Sequence, residues 1–282
     1  QSLVVTIPAA PGQPAGSPSA VMFNGSPTNF AVAPGKPGLF LFTTEDGIIA
    51  GWNPGVKLNQ AITVVDQSKE GAVYKGATVV EMGDQEFMLV ANFRTGRVEA
   101  YDSQFKRAHL GEERFEDDRV PDGFAPFNVQ GIGPNVYVTY AKQDAAKHDP
   151  VGGAGFGFVD VFSSSGRLLQ RLEHGPWLNA PWGVVLAPAD FGQFSHAVLV
   201  GNFRGGTIAA YNPLTGRFLG NVLNPDGTTV NIDGLWALEF GNGGKSGPGN
   251  SLFFTAGPDH ETNGLFGTLT PVATELNLNA RQ

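Results

Sequence analysis

The chain is 282 residues long, carries 18 Lys and Arg against 26 Asp and Glu for a formal charge of -8, and contains no cysteine. The absence of thiols excludes disulfides, Cys-zinc and iron–sulfur sites and cysteine nucleophiles, and a sparsely charged acidic surface is a poor match to nucleic acid. Gly 39 and Pro 20 make up about a fifth of the chain while hydrophobic residues reach 41%, which predicts many short strands joined by tight turns rather than disorder.

Taken from the start, the chain opens at Gln1 without a Met or a basic leader. A signal peptide of a secreted or periplasmic protein would therefore lie outside this sequence. Ser2–Ile7 reads as a strand, so residues 1–8 are expected to belong to a preceding or closing blade. No apolar run approaches the ~18–20 residues of a membrane span.

From residue 18 onward a repeat emerges. Its first strand recurs at Pro18–Phe23, Tyr74–Val80, Ala125–Gln130, Pro181–Leu186 and Leu235–Phe240, so repeats begin near 18, 74, 125, 181 and 235. With Ala20, Gly76, Phe127, Gly183 and Ala237 equivalent, the steps are 56, 51, 56 and 54 residues. Second strands are expected at Asn29–Ala33, Glu86–Ala91, Asn135–Tyr140, His196–Gly201 and Ser251–Ala256. Third strands follow at Gly47–Trp52, Arg97–Tyr101, Phe156–Phe162, Thr207–Tyr211 and Gly264–Leu269. Fourth strands read as Ile62–Val65, Phe105–Leu110, Arg167–Leu172 and Phe218–Leu223, with the tail from Val272 to Gln282 as the last. A period near 54 residues suits four-stranded propeller blades and exceeds solenoid repeats. The expected fold is all-β: a single β-propeller domain over residues 1–282 with five repeats visible.

Several segments together resemble one family. They are Tyr74-Lys75-Gly76, Pro121–Gln130, Tyr137–Asp144, Ala180–Pro188, Ile232–Trp236 with Gly241-Asn242-Gly243, and Phe254–Asp259. They resemble an uncharacterised family of secreted bacterial β-propeller proteins, some of which carry a Pro-Glu-Pro-type C-terminal sorting signal. The resemblance implies six blades, with most of the first blade outside this chain; the alternative is a closed ring of five. It implies an extracytoplasmic location and no known activity. No Pro-Glu-Pro motif follows Leu269. A partner chain or an upstream segment is the expected source of the remaining strands.

In a propeller, the loop entering a first strand and the loop between the second and third strands open on one face, where binding residues usually sit. On that face the candidate ligand contacts are Lys75, Arg94, Lys142, Asp144, His148, Arg204, Asp259 and His260. Ala141–Gly155 is the longest insertion, either a lid or metal-binding loop or a solvated loop. The repeated Asn92-Phe93-Arg94 and Asn202-Phe203-Arg204 suggest Asn bonding to turn backbone, Phe packing between blades, and Arg left to meet a ligand. Trp182 and Trp236 begin inner strands and read as core before substrate platforms. Asn128, Asp144, Asn202, Asp233 and Asp259 could supply oxygen ligands to Ca²⁺, the arrangement of lactonase-type propellers. No cofactor is otherwise evident, and no serine or His-rich catalytic motif is present. The leading expectation is a binding or interaction scaffold for a small molecule, glycan or protein. A calcium-dependent hydrolase and a structural assembly subunit are the alternatives.

Overall fold

A computed structural model describes residues 3–109 and 115–272. Strands dominate. The first sheet comprises β1 (Pro18–Phe23), β4 (Phe40–Thr44), β5 (Ile48–Trp52) and β6 (Ile62–Asp66) in that order, with a small hairpin of β2 (Ala31–Ala33) and β3 (Lys36–Pro37) inserted. The second comprises β7 (Tyr74–Met82), β8 (Gln85–Asn92), β9 (Arg97–Asp102) and β10 (Arg107–Ala108). The third comprises β11 (Phe124–Ile132), β12 (Asn135–Gln143), β14 (Gly157–Ser163) and β15 (Leu168–Arg171), with the two-residue β13 (Pro150–Val151) added to β12. The fourth comprises β16 (Pro181–Leu186), β17 (Val198–Asn202), β18 (Ile208–Tyr211) and β19 (Phe218–Asn221). The fifth comprises β20 (Leu235–Phe240), β21 (Leu252–Ala256) and β22 (Leu265–Leu269). Each repeat is thus one antiparallel meander, and the fold is that of β-propeller blades.

By compactness the chain divides into two units: Gln1–Val138 with Gln143–Asp149 and Phe162–Leu169, and Thr139–Lys142 with Pro150–Val161 and Gln170–Gln282. In the first unit, Leu41, Ile49, Tyr74, Ala77, Met88 and Tyr101 form one buried cluster between the first two sheets. In the second, Val185, Leu199, Ala210, Leu235, Leu238 and Phe254 do the same for the fourth and fifth. With the second sheet on one face and Val5, Ile7 and Ala10 of the N-terminal segment on the other, the middle strand Ile48–Trp52 is buried along its whole length. Strict in–out alternation is therefore absent from its sequence.

The second strand of the first repeat lies at Phe40–Thr44, not at Asn29–Ala33. Phe30 is the reason. Its ring is fully buried against Phe105 at 5.4 Å, and its backbone N–H reaches Ser103 O at 2.8 Å, with φ +58. That anchorage draws the segment toward the second sheet and out of the ladder. Gly47, with φ +84, then closes a tight hairpin that puts Phe40–Thr44 beside Ile48–Trp52. Of the expected strand at Ser2–Ile7, the described residues pair through a parallel bridge of Thr6 to Gln60. Leu110 and the tail from residue 273 fall outside the described residues.

The inner strands share one irregularity. Pairing slips between Pro18 and Ala20, between Tyr74 and Ala77, between Pro181 and Val184, and between Leu235 and Leu238. Such a bulge bends the strand and re-aims the side chain within it. Immediately before the equivalent positions of the repeat it holds Ser19, Lys75, Trp182 and Trp236. Two glycines let these bulges lie against the next sheet. A Cβ at Gly76 would stand 1.8 Å from Asn128 Oδ1, and one at Gly183 would stand 2.8 Å from Trp236 O.

Candidate functional site

In the first unit the bulge of β7 turns Lys75 inward. Its side chain is 1% exposed, ion-paired with Glu45, and 3.4 Å from Asp149 Oδ1. The ammonium also stands 5.8 Å from the centroid of the buried Phe93 ring, itself packed on Phe127 at 5.4 Å. Asp149 bridges to His148, whose Nδ1 lies 3.1 Å from Asp149 Oδ2. Burial pushes the Asp149 carboxyl up, but the His148 hydrogen bond and the Lys75 charge outweigh it and hold the group below the usual carboxylate range. Asp144 closes the same loop: its Oδ1 accepts the His148 N–H at 2.8 Å, and its own N–H donates to Asp149 O at 2.9 Å. The structure thus brings Lys75, Asp144 and His148 into one cluster.

The two Asn-Phe-Arg segments are built alike. Asn92 donates to Glu99 Oε1 at 2.9 Å and Asn202 donates to Trp177 O at 3.0 Å. Asn202 Oδ1 accepts the Asn179 N–H at 2.8 Å, leaving the amide committed to turn backbone. Phe203 stacks on Trp236 at 4.1 Å, and Trp236 meets Trp182 edge-on at 4.6 Å. The arginines that follow, Arg94 and Arg204, are exposed.

In the second unit Arg204 lies over the Phe203 ring at 4.7 Å and its Nε donates to Pro150 O at 3.3 Å. Arg204 Cβ would be 3.1 Å from a Cβ on Gly152, so its stem runs along the Pro150–Phe156 segment. On that same segment Lys142 Nζ sits 4.2 Å above the Phe156 ring. The Gly153 N–H is fixed by Asn179 Oδ1 at 2.8 Å. Neither Lys142 nor Arg204 has a carboxylate partner among the described residues. The pair therefore presents uncompensated positive charge on an acidic chain, supported by two aromatic planes.

Asp259 and His260 lie in a left-handed turn. Asp259, His260 and Glu261 have φ of 55, 57 and 64, held by Asp233 Oδ2 on the Asp259 N–H and by the Trp236 indole N–H on Glu261 Oε1. Of the expected calcium ligands, Asn128 Oδ1 accepts the Val129 N–H, and Asn202 and Asp233 are engaged as above. Among the described residues no three His, Asp or Glu side chains stand together as a metal cage.

Glu45, the tight partner of Lys75, and Phe156, the seat of Lys142, escape a reading of the sequence. Glu45 lies in the hairpin turn that a second strand at Asn29–Ala33 leaves unplaced. Phe156 looks like an ordinary strand residue.

No family model matches the chain. It is 31% identical over 253 residues to the uncharacterised protein R648 of Acanthamoeba polyphaga mimivirus, covering 86% of this chain and 60% of that protein. It thus spans about three fifths of that relative's length. Among solved structures it resembles BBS1N in its complex with ARL6DN, soaked with lead (TM-score 0.51, 14% identity, 97% of this chain, 69% of that one). It also resembles a protein of unknown function from Bacteroides caccae (TM-score 0.50, 12% identity, 92% and 71%). At such identities the likeness concerns the fold alone. No helix among the described residues is long and apolar enough to cross a membrane.

Proposed function

We propose that this chain is the ligand-holding module of an extracytoplasmic β-propeller protein, and that it recognises an anionic ligand such as an acidic glycan. The observation that carries the reading is the pair Lys142 and Arg204. Each is laid on an aromatic ring beside the Pro150–Phe156 segment, and neither is neutralised by a carboxylate among the described residues. Seating a cation on a ring fixes its position without removing its charge, which suits capture of a carboxylate or sulfate. The resemblance to secreted bacterial propellers and the lack of cysteine are compatible with a place outside the cytoplasm.

The test is a thermal-shift panel of neutral, carboxylated and sulfated oligosaccharides. Carboxylated or sulfated members should raise the melting temperature of the wild-type chain, and Lys142→Ala with Arg204→Ala should abolish the rise. A rise from neutral sugars alone, or one unchanged in the double variant, would overturn the reading.

A further inference from the structure

We propose that Lys75 is a carboxylate-binding site closed from within, with Asp149 as the chain's own stand-in for an incoming carboxylate. The inference rests on the reading of the chain as a binding module and adds a second site, in the first unit, with its ligand class.

The two acidic partners of Lys75 are unequal. Glu45 makes the close contact and is 28% exposed, whereas Asp149 lies 3.4 Å away and is 56% exposed. The Lys75 side chain, 1% exposed, is thus held closely by Glu45 and more loosely by the more exposed Asp149, the partner a ligand would displace. A buried ammonium without its partners would be costly, so the space taken by Asp149 is complementary to a carboxylate group. Phe93 walls the site and offers its ring face to the cation.

Asp149 rides on a loop that closes upon itself. The Asp149 carbonyl accepts the Asp144 N–H, Asp144 O accepts the Lys147 N–H, and Asp144 Oδ1 accepts the His148 N–H. These bonds and the pairing of Pro150–Val151 with β12 hold the turn closed, so the exchange asks only for rotation of the half-exposed Asp149 side chain. At its root, the Gln143 backbone N–H donates to Gly123 O and its side-chain amide donates to Phe93 O, giving a fixed anchor beside Lys75. Exchange of Asp149 for a ligand carboxylate keeps the charge around the ammonium constant. The titratable and charged groups facing the site are Glu45, Asp149, His148 and Asp144.

Chemical rescue tests this without the natural ligand. Asp149→Ala should lower the melting temperature, and sodium acetate should restore it in a saturable manner, while sodium chloride at equal ionic strength should not. Wild type, already filled by Asp149, should respond to acetate no more than to chloride. A second variant, Glu45→Gln, keeps Asp149 in place and should show no acetate-specific rise. If acetate and chloride act alike on Asp149→Ala, or if acetate stabilises wild type equally, Lys75 is a structural ion pair and the proposal fails. Lys142 and Arg204 are intact throughout, so this result is independent of the glycan panel.

Discussion

Replacement of Gly76 by alanine probes the contact on which the first unit's inner strands depend. The new methyl would stand 1.8 Å from Asn128 Oδ1 and 2.6 Å from Asn128 Cα. A side-chain oxygen can rotate away, but the Cα belongs to a strand buried on both faces and cannot. Overpacking of this kind costs about 1–3 kcal/mol, occasionally more. Loss of glycine's freedom in the unfolded chain returns only about 0.4–1 kcal/mol. The net expectation is a loss of about 2 kcal/mol, accompanied by displacement of Lys75. Gly183→Ala, whose nearest contacts are 2.8 Å from Trp236 O and 2.9 Å from Leu238 N, should lose roughly 1 kcal/mol. Gly131→Ala meets Thr78 Oγ1 at an ordinary 3.4 Å and should be neutral or gain a few tenths. Urea unfolding followed by tryptophan fluorescence and circular dichroism gives the midpoints and slopes. A Gly76→Ala chain as stable as Gly131→Ala would refute the close approach of these strands.

Other expectations follow from the buried polar groups. Asp160 is fully buried and paired with Arg171 Nε at 2.7 Å, so Asp160→Ala should cost about 3–5 kcal/mol by stranding the guanidinium, measured by the same unfolding curves. Burial, joined by the Glu99 charge, pushes the Tyr74 and Tyr101 phenols well above their ordinary range, and burial, joined by the Glu173 charge and opposed by the Trp177 hydrogen bond, does so for Tyr211. Their contribution is complete below the unfolded value near pH 10 and is lost as pH rises past it. Alkaline titration should therefore show these phenols ionising only with unfolding; phenolate absorbance from them in a folded chain at pH 11 would contradict this. Asp149 has the opposite sign. Its carboxyl is depressed, so its contribution is present above an unfolded value near 4 and fades as pH falls through the folded value. Being more than half exposed, it should contribute under about 1 kcal/mol. The stability gap between wild type and Asp149→Asn should accordingly shrink towards zero in acid.

Much of the fold was readable because each repeat carries its own marker. The inner strands Pro18–Phe23, Pro181–Leu186 and Leu235–Phe240 stand where their spacing placed them. A small residue must occupy the bulge where two sheets approach, and Gly76 and Gly183 satisfy that at a fixed interval. The error at Asn29–Ala33 arose because Phe30 leaves the sheet to fill the space beside Phe105, and no local propensity reports such a long-range contact. The same error hid Glu45, and with it the partner that explains a buried lysine. Arg204 and Lys142 could be named from their loops, but only the folded chain lays them on Phe203 and Phe156 along one segment. Asp259 and His260 attracted attention as an adjacent acidic–basic run; the left-handed turn explains their placement through Asp233 and Trp236.

The central claim, recognition of an anion by Lys142 and Arg204, is tested most directly by calorimetric titration with a carboxylated oligosaccharide. Wild type and the Lys142→Ala/Arg204→Ala chain should be compared at low and high salt. Each charge-assisted hydrogen bond contributes about 1.5–3 kcal/mol, so removal of both cations should weaken binding at least about a hundredfold. High salt should weaken the wild type and leave the variant nearly unchanged. Equal affinity in the two chains at low salt would contradict the account.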